Sequence, residues 1–417
     1  PSAFVVLESI PLTPAGKLDR RALPSPTLAS HSVFRAPRTD NERRVAAVFA
    51  DLLDSPKVGI DDSFFDLGGN SLVATRLIAR VNADLGSSLR VLDLFEAPTV
   101  VGLTARAEDT AGSSNRPALV RAERPDVVPL SLAQQRMWFI NQFDTQSAAY
   151  NIPLAVRLSG AVDVAALSAA VTDVVERHES LRTVFPTVGE LPRQVVLDVA
   201  DVDLSLDMVS IDESALAGHV SSEAARGFDV TTDMPIRATL YRLDGREDRH
   251  VLAIVVHHIA ADGASMAPLA SDVMIAYSSR VAGEVPAWEP LAVQYADYSL
   301  WQRGLLGSES DSESLMSRQL AYWSRVLADA PDVLPLPLDR PRPSTQSVAG
   351  ATTRFEIPAG LRSELVRLGA AHDATPFMVF HSALALLLAR LSGTEDIVVG
   401  TPIAGRGEAG LDALVGM

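Results

Sequence analysis

Cysteine is absent from the 417 residues. That excludes disulfides, thiolate metal sites and a cysteine nucleophile, and it suits a reducing compartment, so a cytoplasmic location is expected. A basic excess is absent as well: 36 Lys and Arg stand against 52 Asp and Glu, a net charge of −16. Without a phosphate-neutralising footprint, nucleic acid is not an expected partner. No apolar run reaches the roughly 18 residues that cross a membrane. The richest stretch, Phe377 to Leu391, is broken by His381, and no membrane partner is expected. The chain opens Pro1-Ser2-Ala3-Phe4 without an initiator Met, which reads as a cut inside a longer polypeptide and removes any weight from a missing signal peptide. What is present is globular: 47 % hydrophobic and 21 % charged residues are ordinary for a folded chain. At roughly 150 residues per domain the length suggests about three domains.

Residues 1–38 hold proline-rich stretches, Ile10-Pro11-Leu12-Thr13-Pro14 and Leu23-Pro24-Ser25-Pro26, which forbid long helices. They read as a tail plus a linker. From Thr39 to Ala107 the pattern turns helical. Val45, Val48, Phe49, Leu52 and Leu53 repeat at helical spacing behind a Thr39/Asp40 cap, and Leu72, Leu77, Ile78, Val81 and Leu85 do so again up to Gly86. Two shorter apolar segments, Val91 to Phe95 and Val100 to Ala107, complete a bundle of about 70 residues. Residues 108–128 show no periodicity and read as a flexible linker, spanning roughly 25 Å on average. From Pro129 onward, strand-like runs (Leu154 to Leu158, Leu252 to His258, Asp396 to Gly400) alternate with helical patterns (Val164 to Arg177, Pro268 to Tyr277, Phe377 to Leu391), the pattern of an α/β domain. There is no internal repeat and no low-complexity tract.

Asp66-Leu67-Gly68-Gly69-Asn70-Ser71-Leu72 stands just before the second bundle helix. The paired glycines allow a tight turn and close backbone approach, and Ser71 falls where the first free helix N–H groups point outward. A phosphodiester there is favoured by the helix dipole; the plainer role for such a serine is a helix cap. Preceded by Phe64 and Phe65 inside a four-helix module of this size, the segment strongly resembles the peptidyl carrier protein of non-ribosomal peptide synthetases. The resemblance implies that Ser71 carries 4′-phosphopantetheine, installed by a phosphopantetheinyl transferase. Asn70 stands where family members commonly have His or Asp. Leu12-Thr13-Pro14-Ala15-Gly16-Lys17-Leu18-Asp19-Arg20-Arg21-Ala22-Leu23-Pro24 in turn looks like the closing motif of an adenylation domain, with Lys17 as its lysine and Ala15 replacing the usual Asn. The rest of that domain is absent.

Val255-Val256-His257-His258-Ile259-Ala260-Ala261-Asp262-Gly263 ends an apolar run and precedes a helical pattern. Alternation in a strand sends His257 and His258 to opposite faces, so the pair cannot chelate one metal, and no metal site is expected. A histidine at the exit of a buried strand can face a tunnel and handle protons near neutral pH. Asp262 can brace the loop through an arginine or backbone amides. Three further segments accompany this run: Ser131-Leu132-Ala133-Gln134-Gln135-Arg136-Met137-Trp138-Phe139, Arg177-His178-Glu179-Ser180-Leu181-Arg182-Thr183-Val184-Phe185 and Tyr295-Ala296-Asp297-Tyr298-Ser299-Leu300-Trp301. Their order and spacing resemble the first four motifs of a synthetase condensation domain, with a fold similar to chloramphenicol acetyltransferase. The resemblance implies catalytic roles for His258, Asp262 and Gly263, and structural support from His257 and from Arg182 as partner of Asp262. Arg136, Trp138, Tyr295 and Trp301 read as structural.

Together the resemblances cover nearly the whole chain. They imply an adenylation-domain tail (1–28), a linker (29–38), a four-helix peptidyl carrier protein (39–107), a second linker (108–128) and an α/β condensation domain (129–417), short of a complete second lobe. If Met417 were the true end, the active-site tunnel would lack a wall. The implied reaction is peptide-bond formation: an aminoacyl or peptidyl thioester on the carrier is transferred to the amine of an acceptor aminoacyl thioester. That acceptor is presented by a downstream peptidyl carrier protein, and an upstream adenylation domain loads the donor. With no room for an epimerisation domain in the linker and no second His-rich motif before Ser131, an L-donor, L-acceptor type is expected. The intact His-His and Asp argue against a cyclising relative. Two alternatives share the fold: an epimerisation domain, whose opening motif differs from Ser131 to Phe139, and a non-catalytic recruitment platform, which typically loses the second His or the Asp. A free-standing coenzyme A-dependent acyltransferase is disfavoured by the fused carrier.

Overall fold

The computed structural model describes residues 34–53, 55, 57–69, 71–110, 117–189, 191–202, 206–245, 248–343, 351, 353–372, 374–401 and 405–417. The adenylation-like segment with Lys17, and Asn70, lie outside them. The described residues divide into two compact units, one within 1–116, 330–341 and 352–408, the other within 117–329, 342–351 and 409–417.

The first unit contains a four-helix bundle: α1 (Asp40–Leu53), α2 (Ser71–Leu85), α3 (Val91–Glu96) and α4 (Val100–Asp109). The start of α1 is a reciprocal cap, in which the Thr39 hydroxyl accepts from the Glu42 amide at 3.1 Å and the Glu42 carboxylate accepts from the Thr39 amide at 3.3 Å. Helix α2 ends at Gly86, whose φ of +62° is the left-handed conformation that glycine adopts without strain. The apolar stripes of the four helices close on Phe49, Phe64, Leu77, Val81, Leu94 and Leu103, all fully buried. The same unit includes α11 (Ala359–Ala370) and α12 (Pro376–Ser392). The expected strand at Asp396 to Gly400 does not form: the segment is irregular, with Val398 exposed and Ile397 and Val399 half-buried. A strand needs a neighbour for its amides and carbonyls, and among the described residues none pairs with it.

The second unit is the α/β part. Its main sheet runs β2–β8–β7–β6, with β2 (Asn151–Ser159), β6 (Asp207–Ile211), β7 (Ile236–Leu243) and β8 (Arg249–His257). Strands β2 and β7 flank β8 antiparallel, and β6 pairs with β7 in parallel. A small sheet joins β1 (Val128–Pro129), β3 (Thr183–Val184), β4 (Thr187–Val188) and β5 (Leu191–Val196). The helices are α5 (Leu132–Phe143), α6 (Val164–Arg177), α7 (Glu213–Ala225), α8 (Met266–Val281), α9 (Tyr295–Leu306) and α10 (Leu315–Val326). The unbroken apolar run of β8 follows from burial on both faces: Leu252, Ile254 and Val256 join the core with α6 and α8, while Val251 and Ala253 join Tyr241 and Leu216 on the other side. This central strand fixes where the two histidines emerge.

The linker reading of 108–128 needs correcting. Asp109 still belongs to α4, and residues after Pro117 are bonded onto the second unit. Trp301 donates to the Pro117 carbonyl at 2.7 Å, Leu119 packs with Val293, Tyr295, Leu411 and Leu414, and Arg124 pairs with Glu179 at 2.8 Å. Low apolar periodicity hid this because the segment docks through single residues rather than a helical face.

Candidate functional site

Strand β8 ends at His257, and the two imidazoles part there. The His257 amide donates to the Pro235 carbonyl at 2.9 Å, and its Nδ1 accepts from the Ile259 amide at 3.1 Å, leaving the ring proton to Nε2. The ring meets Phe228 edge-on at 5.9 Å, and the Arg237 guanidinium lies 3.6 Å over that same phenyl ring. Burial, aided by His258 and Arg237, pushes the His257 imidazole down to about 4. His257 is therefore neutral near pH 7 and holds the turn.

His258 is the first residue beyond β8. Its amide donates to the Tyr150 carbonyl at 2.8 Å, and its half-buried ring meets the Tyr150 ring edge-on at 6.5 Å. The Nδ1 atom is shielded from solvent and has no hydrogen-bond partner. Among the described residues no hydrogen bond to Nδ1 fixes the tautomer, so this nitrogen accepts when the ring proton sits on Nε2.

Asp262 caps the short turn Gly263–Ser265: its Oδ1 accepts from the Ser265 amide at 2.8 Å and the Ser265 hydroxyl at 2.7 Å. Among the described residues a side chain at Gly263 would meet nothing within 4 Å, so none of them demands glycine there. Arg182 does not form the ion pair with Asp262 that the sequence resemblance implies. Its Nη1 donates to the Leu197 carbonyl, and its buried Nε has no partner. Sequence reasoning missed Tyr150, which braces His258 from the loop before β2. It also missed Ser265, for which the Asp-x-x-Ser spacing was the available signal.

In the first unit, Ser71 is the first residue of α2. Ahead of it Gly68 has φ +97°, and Gly69 lies so close to Phe64 that a Cβ would stand 2.4 Å from its ring. The Gly69 amide donates to the Phe64 carbonyl at 2.9 Å, and the Phe64 amide to the Pro98 carbonyl at 2.8 Å. The loop thus delivers the chain to the first free amides of α2, where a phosphodiester is stabilised. The residues present fit such a group. Among the described residues no cluster of His, Asp or Glu could hold a metal ion, and no helix is long and apolar enough to cross a membrane.

Comparison with known proteins agrees with this division. Residues 43–107 match the family described as phosphopantetheine attachment site, and residues 124–417 match the condensation domain family. The whole chain is 50 % identical to a stretch of a nonribosomal peptide synthetase of Salinispora arenicola, covering 5 % of it. It is 46 % identical to a stretch of a dimodular nonribosomal peptide synthase of Bacillus subtilis, covering 17 %. The chain therefore spans only a small fraction of the length of these relatives. Among solved structures, the X-domain from teicoplanin biosynthesis matches at a TM-score of 0.66 and 36 % identity, over 72 % of this chain and 65 % of that one.

Proposed function

Since the chain belongs to the condensation domain family of nonribosomal peptide synthetases and carries a 4′-phosphopantetheine attachment domain ahead of it, we propose that it joins a donor aminoacyl or peptidyl group, tethered at Ser71, to the amine of an acceptor aminoacyl thioester. When bound, 4′-phosphopantetheine supplies the thioester whose carbonyl the amine attacks and whose thiol departs. Ser71 would hold that group, with the first amides of α2 around the phosphodiester.

One contrast carries the reading. Of two adjacent imidazoles, His257 has its Nδ1 occupied by the Ile259 amide, whereas the Nδ1 of His258 is unpartnered in a half-buried ring. His258 would accept the proton of the attacking amine, or orient that amine by accepting its hydrogen bond. Asp262 would keep the following turn in shape, and Gly263 would leave room for substrate. His257 and Arg182 would hold the surrounding backbone. Much of the acceleration would come from keeping the two thioesters in register. The reading extends to an L-donor and L-acceptor, to partners in an upstream adenylation domain, a downstream acceptor carrier and a phosphopantetheinyl transferase, and to a cytoplasmic setting suited to a chain without cysteine. The presence of both His258 and Asp262 favours catalysis over a recruitment platform, and the opening motif Ser131 to Phe139 disfavours an epimerase.

The test pairs two substitutions in the intact synthetase. His258→Ala should lower amide formation by about 100-fold or more while leaving the mass gain from coenzyme A and a phosphopantetheinyl transferase intact. Ser71→Ala should abolish that mass gain. Wild-type turnover in the first variant, or modification of the second, would refute the assignment.

A further inference from the structure

Three of the sequence motifs converge on the backbone of Leu414 to Gly416. The Val415 amide donates to Nδ1 of the fully buried His178 at 3.2 Å, and the Ser180 hydroxyl donates to the Val415 carbonyl at 2.7 Å. Gly416 lies against Tyr295 so tightly that a Cβ would stand 2.3 Å from its ring. The third contact is Ser265, itself fully buried. Its Oγ accepts from the Gly416 amide at 3.1 Å and from the Asp262 amide at 3.1 Å, while the Gly416 carbonyl and the Asp262 Oδ1 both stand 2.7 Å from the same oxygen. A hydroxyl has one proton and two lone pairs. The two amides use the lone pairs, and the single proton is shared between a carbonyl and a carboxylate.

We propose, building on the reading of His258 above, that Ser265 is a positioning residue: its hydroxyl ties the Asp262–Gly263 turn to the backbone of Leu414–Gly416 and so holds the loop after His258 in one conformation. The connection is short. Ile259, Ala260 and Ala261, which join His258 to Asp262, are fully buried, and the Ala260 amide donates to the His257 carbonyl at 3.0 Å. A packed segment transmits displacement rather than absorbing it. A shift of Asp262 is thus passed to the imidazole, whose ring no hydrogen bond holds at Nδ1.

Ser265→Cys is the informative variant, because a thiol nearly preserves volume while weakening every hydrogen bond. In the intact synthetase with both carriers loaded, kcat should fall by about 100-fold, the order expected for a displacement near 1 Å. The KM for the acceptor and the loading of Ser71 should be unchanged. Hydrogen exchange at the Val415 and Gly416 amides should accelerate. Ser265→Thr, which keeps the hydroxyl, should recover part of the loss. Wild-type kcat with slow exchange in the Cys variant overturns the proposal, as does a Ser265→Ala variant that is impaired while Ser265→Cys is silent, since packing alone would then explain the residue. Failure of the wider reading looks different: His258→Ala would retain turnover. Exchange at Val415 and Gly416 in Ser265→Cys would still judge the anchor, fast exchange supporting it and slow exchange overturning it.

Discussion

His257 is 2 % exposed and surrounded by Phe228, the Pro235 carbonyl and the Ile259 amide, so a charge on its ring finds no water. Its imidazole is accordingly pushed down to about 4 by burial first and by His258 and Arg237 second, from an ordinary 6.5. Between those two values the unfolded chain binds a proton that the folded chain refuses. Stability is therefore fully present above about pH 6.5 and is lost as the pH falls toward about 4. A gap of that size corresponds to about 3 kcal/mol. His257→Asn offers its side-chain oxygen near the place of Nδ1, for the Ile259 amide, and has no proton to take up. Melting followed from pH 7 to pH 4 should be less pH-dependent in this variant than in the wild type. An equally steep decline would place the acid sensitivity elsewhere.

Helix positions were legible in the sequence because their causes are local. The Thr39–Glu42 cap, the Gly86 stop and the extent of α6 are written within a few residues of where they act. The turn after β8 is local in the same way, Asp262 bonding Ser265 three residues on. Partners fixed by tertiary packing were not legible. Arg182 bonds to the Leu197 carbonyl rather than to Asp262, and Ser265 meets Gly416 across 151 positions. Glycines show the limit well. In the sequence Gly69 and Gly263 look alike, yet a Cβ at Gly69 would press on both the ring and the carbonyl of Phe64, whereas one at Gly263 meets nothing. Gly69→Ala should therefore displace the loop that starts α2, costing about 1–3 kcal/mol and lowering the melting temperature of the bundle by several degrees. Gly263→Ala should melt like the wild type. The opposite order of stabilities, read from the two thermal transitions, would contradict this account of the loop.

At the scale of the whole chain, the segment that leaves the bundle is held at more than one point on the second unit. Trp301 takes the Pro117 carbonyl, Leu119 enters an apolar cluster with Tyr295 and Leu414, the Ala122 amide donates to Asp297 at 3.3 Å, and Arg124 lies between Glu179 and the fully buried Asp297, 2.8 and 3.7 Å away. Docking of these residues thus makes 117–124 part of the second unit rather than a free connection. Leu119→Asp combined with Arg124→Ala removes the apolar anchor and the ion pair together, and leaves His258 and Ser71 untouched. Amides of residues 119–124 should lose protection from exchange. Unchanged protection would mean that these two side chains do not hold the segment.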